Sequence, residues 1–382
     1  MSDTSRTASN ATSTNVRLLS EIVLARECTD RAISDPSVSG RIDLYPARIR
    51  EQCSALGPQD LEELEALATS NHVVVRFFEP LQRVLITLGN SDAAERVGGV
   101  LERERGRIDH ALGFLERICG TLAQEGSPVT IIKSLDHWPD LGSDLDLYTD
   151  TNPARIIALM SLHFKARPDI RSWGDRLASK WNFIVPGLPE LVEVHAGRLG
   201  QMGEQTAITR SLAARARIIQ LGAHQFSVAA PEDRIVISTL QRMYRHFYIR
   251  LCDIADNAQL VGSGVVDFAY LRWLSSAAGL WEGIATYLTI VSEYVERYRG
   301  EGIALPASVR RSAKFGADDI RYRSKFLRVP IVPHSAILYA RELKSFLFRG
   351  DLRNSLRLGL MPCLATAAAL EYRFTGSDKG IW

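Results

Sequence analysis

Paired cysteines, long apolar runs and an excess of charge are all missing from this sequence. Five cysteines are spread over 382 residues (Cys28, Cys53, Cys119, Cys252 and Cys363), and no two stand in a C-x-x-C arrangement. That spacing excludes a zinc ribbon or a dithiol redox motif. It fits reduced thiols packed as small hydrophobes, the usage of a cytoplasmic protein. No stretch reaches the ~18 apolar residues of a membrane span, so no membrane partner is expected. The first fifteen residues are polar and lack the apolar segment of a signal peptide, and they read as a disordered lead over 1–15. Lys and Arg number 46 against 44 Asp and Glu, a net charge of +2, which is neither a nucleic-acid coat nor an acidic tail. On this balance RNA is not an expected partner.

What is present is the composition of an ordinary globular protein, 46% hydrophobic and 24% charged. A chain of this length organises roughly two or three subdomains. Residues 16–126 read as a helical N-terminal region. Its clearest helix follows Asn90-Ser91-Asp92, with Val97, Leu101, Ile108, Leu112, Leu115, Ile118 and Leu122 along one face. Glu125-Gly126-Ser127-Pro128 then stops it. From Val129 the period changes. Val129–Ile132 is a short β-branched run, Leu145 and Leu147 alternate with Asp144 and Asp146, and Asn152-Pro153 opens a helix through Leu162. Trp181–Val185 and Leu191–His195 are two further strands joined by Pro186-Gly187-Leu188-Pro189. These make a core over 127–225. Helices return over 226–382, with a long one from Ile235 to Leu260, another from Phe268 to Tyr298 broken near Gly279, and a helical tail interrupted at Pro330, Pro333 and Pro362. The expected fold class is α+β, a small mixed sheet flanked by mainly helical regions.

The chemistry lies in Leu141-Gly142-Ser143-Asp144-Leu145-Asp146-Leu147-Tyr148. Side chains two apart on a strand share a face, so Asp144 and Asp146 project together while Leu145 and Leu147 enter a core. Two carboxylates that close repel, and a hard divalent cation relieves the repulsion. Gly142 and Ser143 allow a close backbone approach to a ligand. Glu193 completes a three-acid cluster if its strand neighbours that of the aspartates. Three acids suit in-line attack on a nucleoside triphosphate.

The segment Ile131-Ile132-Lys133-Ser134 followed by Gly142-Ser143-Asp144-Leu145-Asp146 resembles the signature of the DNA polymerase beta-type nucleotidyltransferase superfamily. Within it, the chain is similar to the family called uncharacterised nucleotidyltransferases, through Trp138-Pro139-Asp140, Asp144-Leu145-Asp146, Val192-Glu193-Val194-His195 and Arg250-Leu251-Cys252-Asp253. The resemblance covers roughly residues 125–265. It departs from the pattern at the turn, where Lys133 replaces the superfamily's Gly and Ser134 the closer family's Gly. The resemblance implies a nucleotidyltransferase-like core and a transferase that moves a nucleoside monophosphate from an NTP to a hydroxyl. Asp144, Asp146 and Glu193 would be catalytic and would hold Mg²⁺ or Mn²⁺. Lys133, Ser134, Gly142 and Ser143 would cradle the NTP co-substrate. The acceptor would be a small molecule or a protein. The altered turn leaves a second reading open, in which a biosynthetic enzyme reuses the fold on a phosphorylated or sulfated intermediate. A third is a non-catalytic partner subunit.

Other residues carry weaker signals. His195 reads as structural beside Glu193, and Lys180 and Arg198 as solvated charges. Tyr244–Asp253 reads as a packed helix with an internal Arg250–Asp253 pair. The segment 310–328 interleaves seven basic residues with Phe315, Tyr322 and Phe326 against two acids.

Overall fold

The computed structural model describes residues 14–25, 47–323, 325–364, 366, 367 and 370. Of the polar lead, only Thr14 and Asn15 fall within this set, and they begin helix α1 over 14–23. The rest of the lead lies outside the described residues, as does Cys28.

Four further helices follow: α2 (Ala47–Ser54), α3 (Pro58–Ser70), α4 (Val74–Thr87) and α5 (Ser91–Gln124). The Asn90 side chain accepts a hydrogen bond from the Ala93 amide at 3.3 Å and caps α5, and all seven apolar positions expected on its inner face are buried. Helix α5 packs along α4 and also touches the sheet, so one rigid rod joins the helical region to the core.

The sheet has seven strands: β1 (Thr130–Ile131), β2 (Asp144–Thr149), β3 (Arg167–Pro168), β4 (Lys180–Ile184), β5 (Leu191–Ala196), β6 (Arg217–Leu221) and β7 (His224–Val228). Their order is β3-β4-β5-β2-β1-β7-β6. The β2–β5 and β1–β7 pairs are parallel and the others antiparallel, so the sheet is mixed and the α+β expectation holds. Asn152 caps α6 (Pro153–Phe164), and the short α7 (Trp173–Ala178) leads into β4. The expected Leu191–His195 strand lies beside β2. Strands β3, β6 and β7 were not expected. The first is two residues long, and β6 is mostly exposed, so neither shows the alternation of a half-buried strand.

After α8 (Thr206–Arg215) and α9 (Pro231–Thr239) the structure departs from the sequence reading. The expected helix from Ile235 to Leu260 is broken. A π-helical turn spans Leu240–His246, Phe247 sits at φ 52°, β8 covers Tyr248–Ile249, and α10 (Leu251–Gly262) begins afresh. Tertiary bonds explain the break. Arg242 is buried against Asp253, 2.7 Å away, and Tyr248 and Ile249 pair with a distant strand. Asp253 accepts from the Arg250 amide at 2.7 Å and so caps α10, instead of pairing with the Arg250 side chain along one continuous helix.

Gly279, at φ 75°, separates α11 (Phe268–Ala278) from α12 (Trp281–Arg299), as expected. Beyond α13 (Ala307–Ser312) the expected helical tail is interrupted by an antiparallel pair, β9 (Arg321–Arg323) and β10 (Phe326–Arg328). These join β8 in a three-stranded sheet of order β8-β10-β9. Helices α14 (Ala336–Phe348) and α15 (Leu352–Gly359) follow. Among the described residues no helix is long and apolar enough to cross a membrane.

Candidate active site

The parallel β2–β5 pairing sets Asp146 directly opposite Glu193. Both carboxylates are nearly buried, while Leu145, Leu147, Val192 and Val194 fill the core on the other face. Asp144 lies two residues before Asp146 on the same face and is half-buried. The three acids named from the sequence are therefore brought together. His195, two residues beyond Glu193, joins them. Its Nε2 is 2.7 Å from Glu193 Oε1 and 3.8 Å from Asp146 Oδ1. Donor atoms of Asp146, Glu193 and His195 all lie within 4.8 Å of one another.

Lys133 reaches this cluster from a turn of unusual shape. Its backbone is at φ 63°, ψ −57°, and the Ser134 amide donates to the Ile132 carbonyl at 2.7 Å. That is a γ-turn of the positive-φ form, rare and strained for a residue with a side chain. The lysine thus keeps a backbone shape that glycine adopts more easily. The turn is held by Ser134, whose hydroxyl accepts from the Asp146 amide at 2.6 Å and donates to the Asp144 carbonyl at 3.2 Å. Both bonds lock the turn to β2, so the Ser134 hydroxyl serves the scaffold that aims Lys133. The Lys133 ammonium forms an ion pair with Asp146 and donates to Glu193 Oε1 at 3.2 Å.

Lys180 is a correction to the sequence reading. It is buried, not solvated, with its ammonium 2.9 Å from both Asp175 Oδ1 and Glu193 Oε2. Asp175 is placed by a reciprocal cap with Ser172 at the start of α7. No local sequence signal announced this chain of charges, because its members lie on different elements. Arg198, by contrast, is half-buried and donates to the Gly203 carbonyl at 2.8 Å, away from the acids.

The charge pattern follows from these contacts. Burial alone would raise the Glu193 pKa, but Lys133, His195 and Lys180 outweigh it and hold the carboxyl well below its ordinary range. Burial likewise opposes the Lys133 ammonium, and Asp146 and Glu193 more than compensate, lifting its pKa. Asp144 differs. Burial, with Asp146 and Glu193 beside it, raises its pKa to about 6. Among the described residues no cation lies within 4 Å of it, and its side chain meets only the Ser143 hydroxyl, at 3.4 Å.

The loop that delivers Asp144 is anchored at both ends. Asp140 accepts from the Val75 and Arg76 amides at 2.6 and 3.2 Å, capping α4. Arg107, on α5, donates to the carbonyls of Leu141 and Gly142 and to Glu190 at 2.6 Å. A Cβ at Gly142 would meet neighbours only at ordinary contact distance, 3.8 Å or more, so its glycine is not sterically demanded. Ser143 is exposed beside Asp144. Beneath the loop, His137 bonds Asp256 through Nδ1, and Arg76 pairs with the same carboxylate, 2.5 Å away. The sequence reading named none of these three residues, since the contact joins three separate elements.

A cleft bounded by Lys133, His195, Leu199, Gln201 and Arg245 opens on one side of the acid cluster. The group could hold a metal ion: among the described residues Asp144 has no cation within 4 Å, and Asp146 and Glu193 converge on one ammonium. Asp146, Glu193 and His195 are the residues that could hold it.

No protein-family model and no curated protein matches this chain. A solved structure described as an antigenic nucleotidyltransferase-like protein from Paracoccidioides brasiliensis is similar over 53% of this chain and 97% of its own, at 12% identity and a TM-score of 0.34.

Proposed function

We propose that this chain is a Mg²⁺- or Mn²⁺-dependent nucleotidyltransferase that moves a nucleoside monophosphate from an NTP to a hydroxyl. The reading rests on one observation: Asp146 and Glu193 are register partners on parallel strands, with Asp144 beside them lacking a counter-ion. Asp144, Asp146 and Glu193 would hold the metal. When bound, it supplies positive charge to the phosphoryl oxygens.

The chain's own groups supply the rest. A triphosphate entering beside Lys133 and Arg245 offers the ammonium a better partner than the buried carboxylates. Glu193, held by Lys180 and His195 at the edge of the acid set, is placed to take the acceptor hydroxyl's proton. The hydroxyl oxygen bonds the α-phosphorus as the bond to the bridging oxygen breaks, and pyrophosphate leaves. His195, bonded to Glu193 Oε1, fixes that carboxylate's orientation.

Pyrophosphate release, measured with each of the four NTPs and a panel of hydroxyl acceptors with and without Mg²⁺, tests the reading. Glu193→Gln and Asp146→Asn should each lower turnover about 100-fold or more. Unchanged turnover in the Asp144→Ala, Asp146→Ala double variant would overturn it.

One observation favours a second reading, in which the pocket binds a phosphorylated or sulfated intermediate without nucleotide chemistry. The acid pair is already neutralised by Lys133. Binding of such an intermediate without Mg²⁺, combined with no NTP binding, would select it.

A further inference from the structure

The three-stranded sheet has two unlike faces. Register pairs Leu327 with Ile249 on one side and with Tyr322 on the other, and these three side chains make the inner face. The alternate positions make the outer face. Arg328 pairs with both Tyr248 and Arg321, and Phe326 pairs with Arg323. Arg250, the residue after Ile249, reaches the same side, its guanidinium 5.7 Å from the Phe326 ring centre. Among the described residues the outer face of these strands therefore carries four arginines, two aromatic rings and no carboxylate.

The rings are stacked on each other, with centroids 4.4 Å apart and planes at 19°. The Arg328 guanidinium lies 5.2 Å from the Tyr248 ring and Arg250 lies 5.6 Å from it, so cations flank the pair on the sheet. Arg321, Arg323 and Arg328 are exposed, and none forms an ion pair with a described residue. Three guanidinium groups without a described counter-ion on one small face repel one another, which is a cost to the folded chain unless an anionic ligand offsets it.

Further basic residues lie between this face and the acid cluster. The π-helical turn that ends at His246 carries Arg242 and Arg245 and leads directly into β8. His246 is pushed well below its ordinary pKa by burial and then by Arg245, Arg242, Arg250 and Lys133. Arg245 and Lys133 line the same cleft.

We propose that the outer face of β8-β10-β9 binds single-stranded polynucleotide. Phosphates lie against Arg321, Arg323 and Arg328, and bases stack on the column formed by Tyr248 and Phe326. The chemistry separates this ligand from its competitors. An acidic peptide or polyphosphate would use the guanidinium groups but has no flat rings for the aromatic column. A bilayer surface would call for exposed aliphatic side chains, and this face has none. The sequence argued against such a partner because the whole chain is near neutral. The register changes that, because it collects the basic and aromatic residues of two distant segments on one face. Binding here does not depend on the metal-dependent chemistry proposed above.

The test uses the full chain and fluorescence anisotropy with labelled twelve-nucleotide single-stranded RNA and DNA, a DNA duplex, inorganic polyphosphate and phosphatidylserine vesicles, without NTP. Single strands should bind most tightly, with affinity falling steeply as salt rises. Phe326→Ala should weaken single-strand binding about tenfold and leave polyphosphate binding unchanged. Arg321→Gln with Arg323→Gln, both exposed, keeps the fold and should reduce the salt slope by about 1.4, at ~0.7 for each single-strand phosphate contact. RNA and DNA binding alike support a polynucleotide site, and the tighter of the two identifies its ligand. Asp144→Asn should bind as the parent does, which separates failure here from failure of the transferase reading. No binding at low salt, tighter binding of duplex, polyphosphate or vesicles than of single strands, or an arginine double variant with unchanged affinity would overturn the proposal. So would a folded Phe326→Ala protein that binds single strands as well as the parent.

Discussion

Lys133 donates to Glu193 across a separation of sixty residues, from a backbone position at φ 63°. The strained turn and the ion pairs depend on each other. The acids offset the strain, and the strain directs the ammonium between the acids. Lys133 stands where the resemblance places a glycine, and its ammonium lies where two carboxylates would otherwise repel.

Replacing Lys133 with Gly tests this balance. The turn relaxes by about 1 kcal/mol, but the buried acids lose a partner worth about 3–5 kcal/mol. The variant should melt lower than the parent without metal, and Mg²⁺ should raise its Tm more than it raises the parent's. Thermal melts across a Mg²⁺ titration check this. An equal Mg²⁺ effect in both proteins would mean that Lys133 does not occupy the cation's place.

Asp144 gives a pH dependence. Its folded pKa, about 6, is above that of an unfolded aspartate. Between the two values the folded state holds a proton that the unfolded state has lost, so stability falls as pH rises from ~4 to ~6. Asp144→Asn should remove this part of the profile. In the metal-free protein, ¹³C carboxyl NMR should show Asp144 titrating near pH 6, and metal-dependent turnover should rise across the same window.

Lys180 bridges Asp175 and Glu193 in a buried site, and truncating it leaves Asp175 with no cation within 4 Å among the described residues. Lys180→Ala should destabilise the chain by about 3–5 kcal/mol, measured by urea denaturation. Pairing it with Asp175→Asn should recover part of that loss. If the two losses simply add, the bridge carries no coupling.

Arg107 ties α5 to the carbonyls of Leu141 and Gly142, just before Asp144. Arg107→Met keeps most of the packing and removes the tether. Turnover per folded molecule should fall about tenfold because the acid is misplaced, and Tm should fall as well because Glu190 is left buried without its cation. A large drop in Tm with unchanged turnover per folded molecule would assign Arg107 to the fold alone.

The sequence made some of this legible for local reasons. Strand β2 announced itself because Leu145 and Leu147 alternate with two acids, and period two is a property of adjacent residues. Helix α5 announced itself through a cap and a face of regular spacing. Glu193 could be placed on a strand, but its place opposite Asp146 depends on strand order, which no local pattern encodes. Lys180 was misread because its burial depends on Asp175, a residue fixed by a cap on a different element. The run from Tyr244 to Asp253 was misread because its helical spacing competes with pairing to Leu327 and Arg328, more than seventy residues on. The basic and aromatic residues of 310–328 were noticed, but a list of charges does not say which side of a strand they share.

The parallel pairing of β2 with β5 also bears on the order of events during synthesis. Parallel neighbours cannot be joined by a tight turn, and here the intervening chain makes two helices, two further strands and a hairpin before Glu193 arrives beside Asp146. A nascent chain that has emerged only as far as α7 holds Lys133, Asp144 and Asp146 but not their partner. The acid set therefore exists only in molecules elongated past Ala196 and correctly threaded, and a chain that stops before that strand carries its aspartates without Glu193.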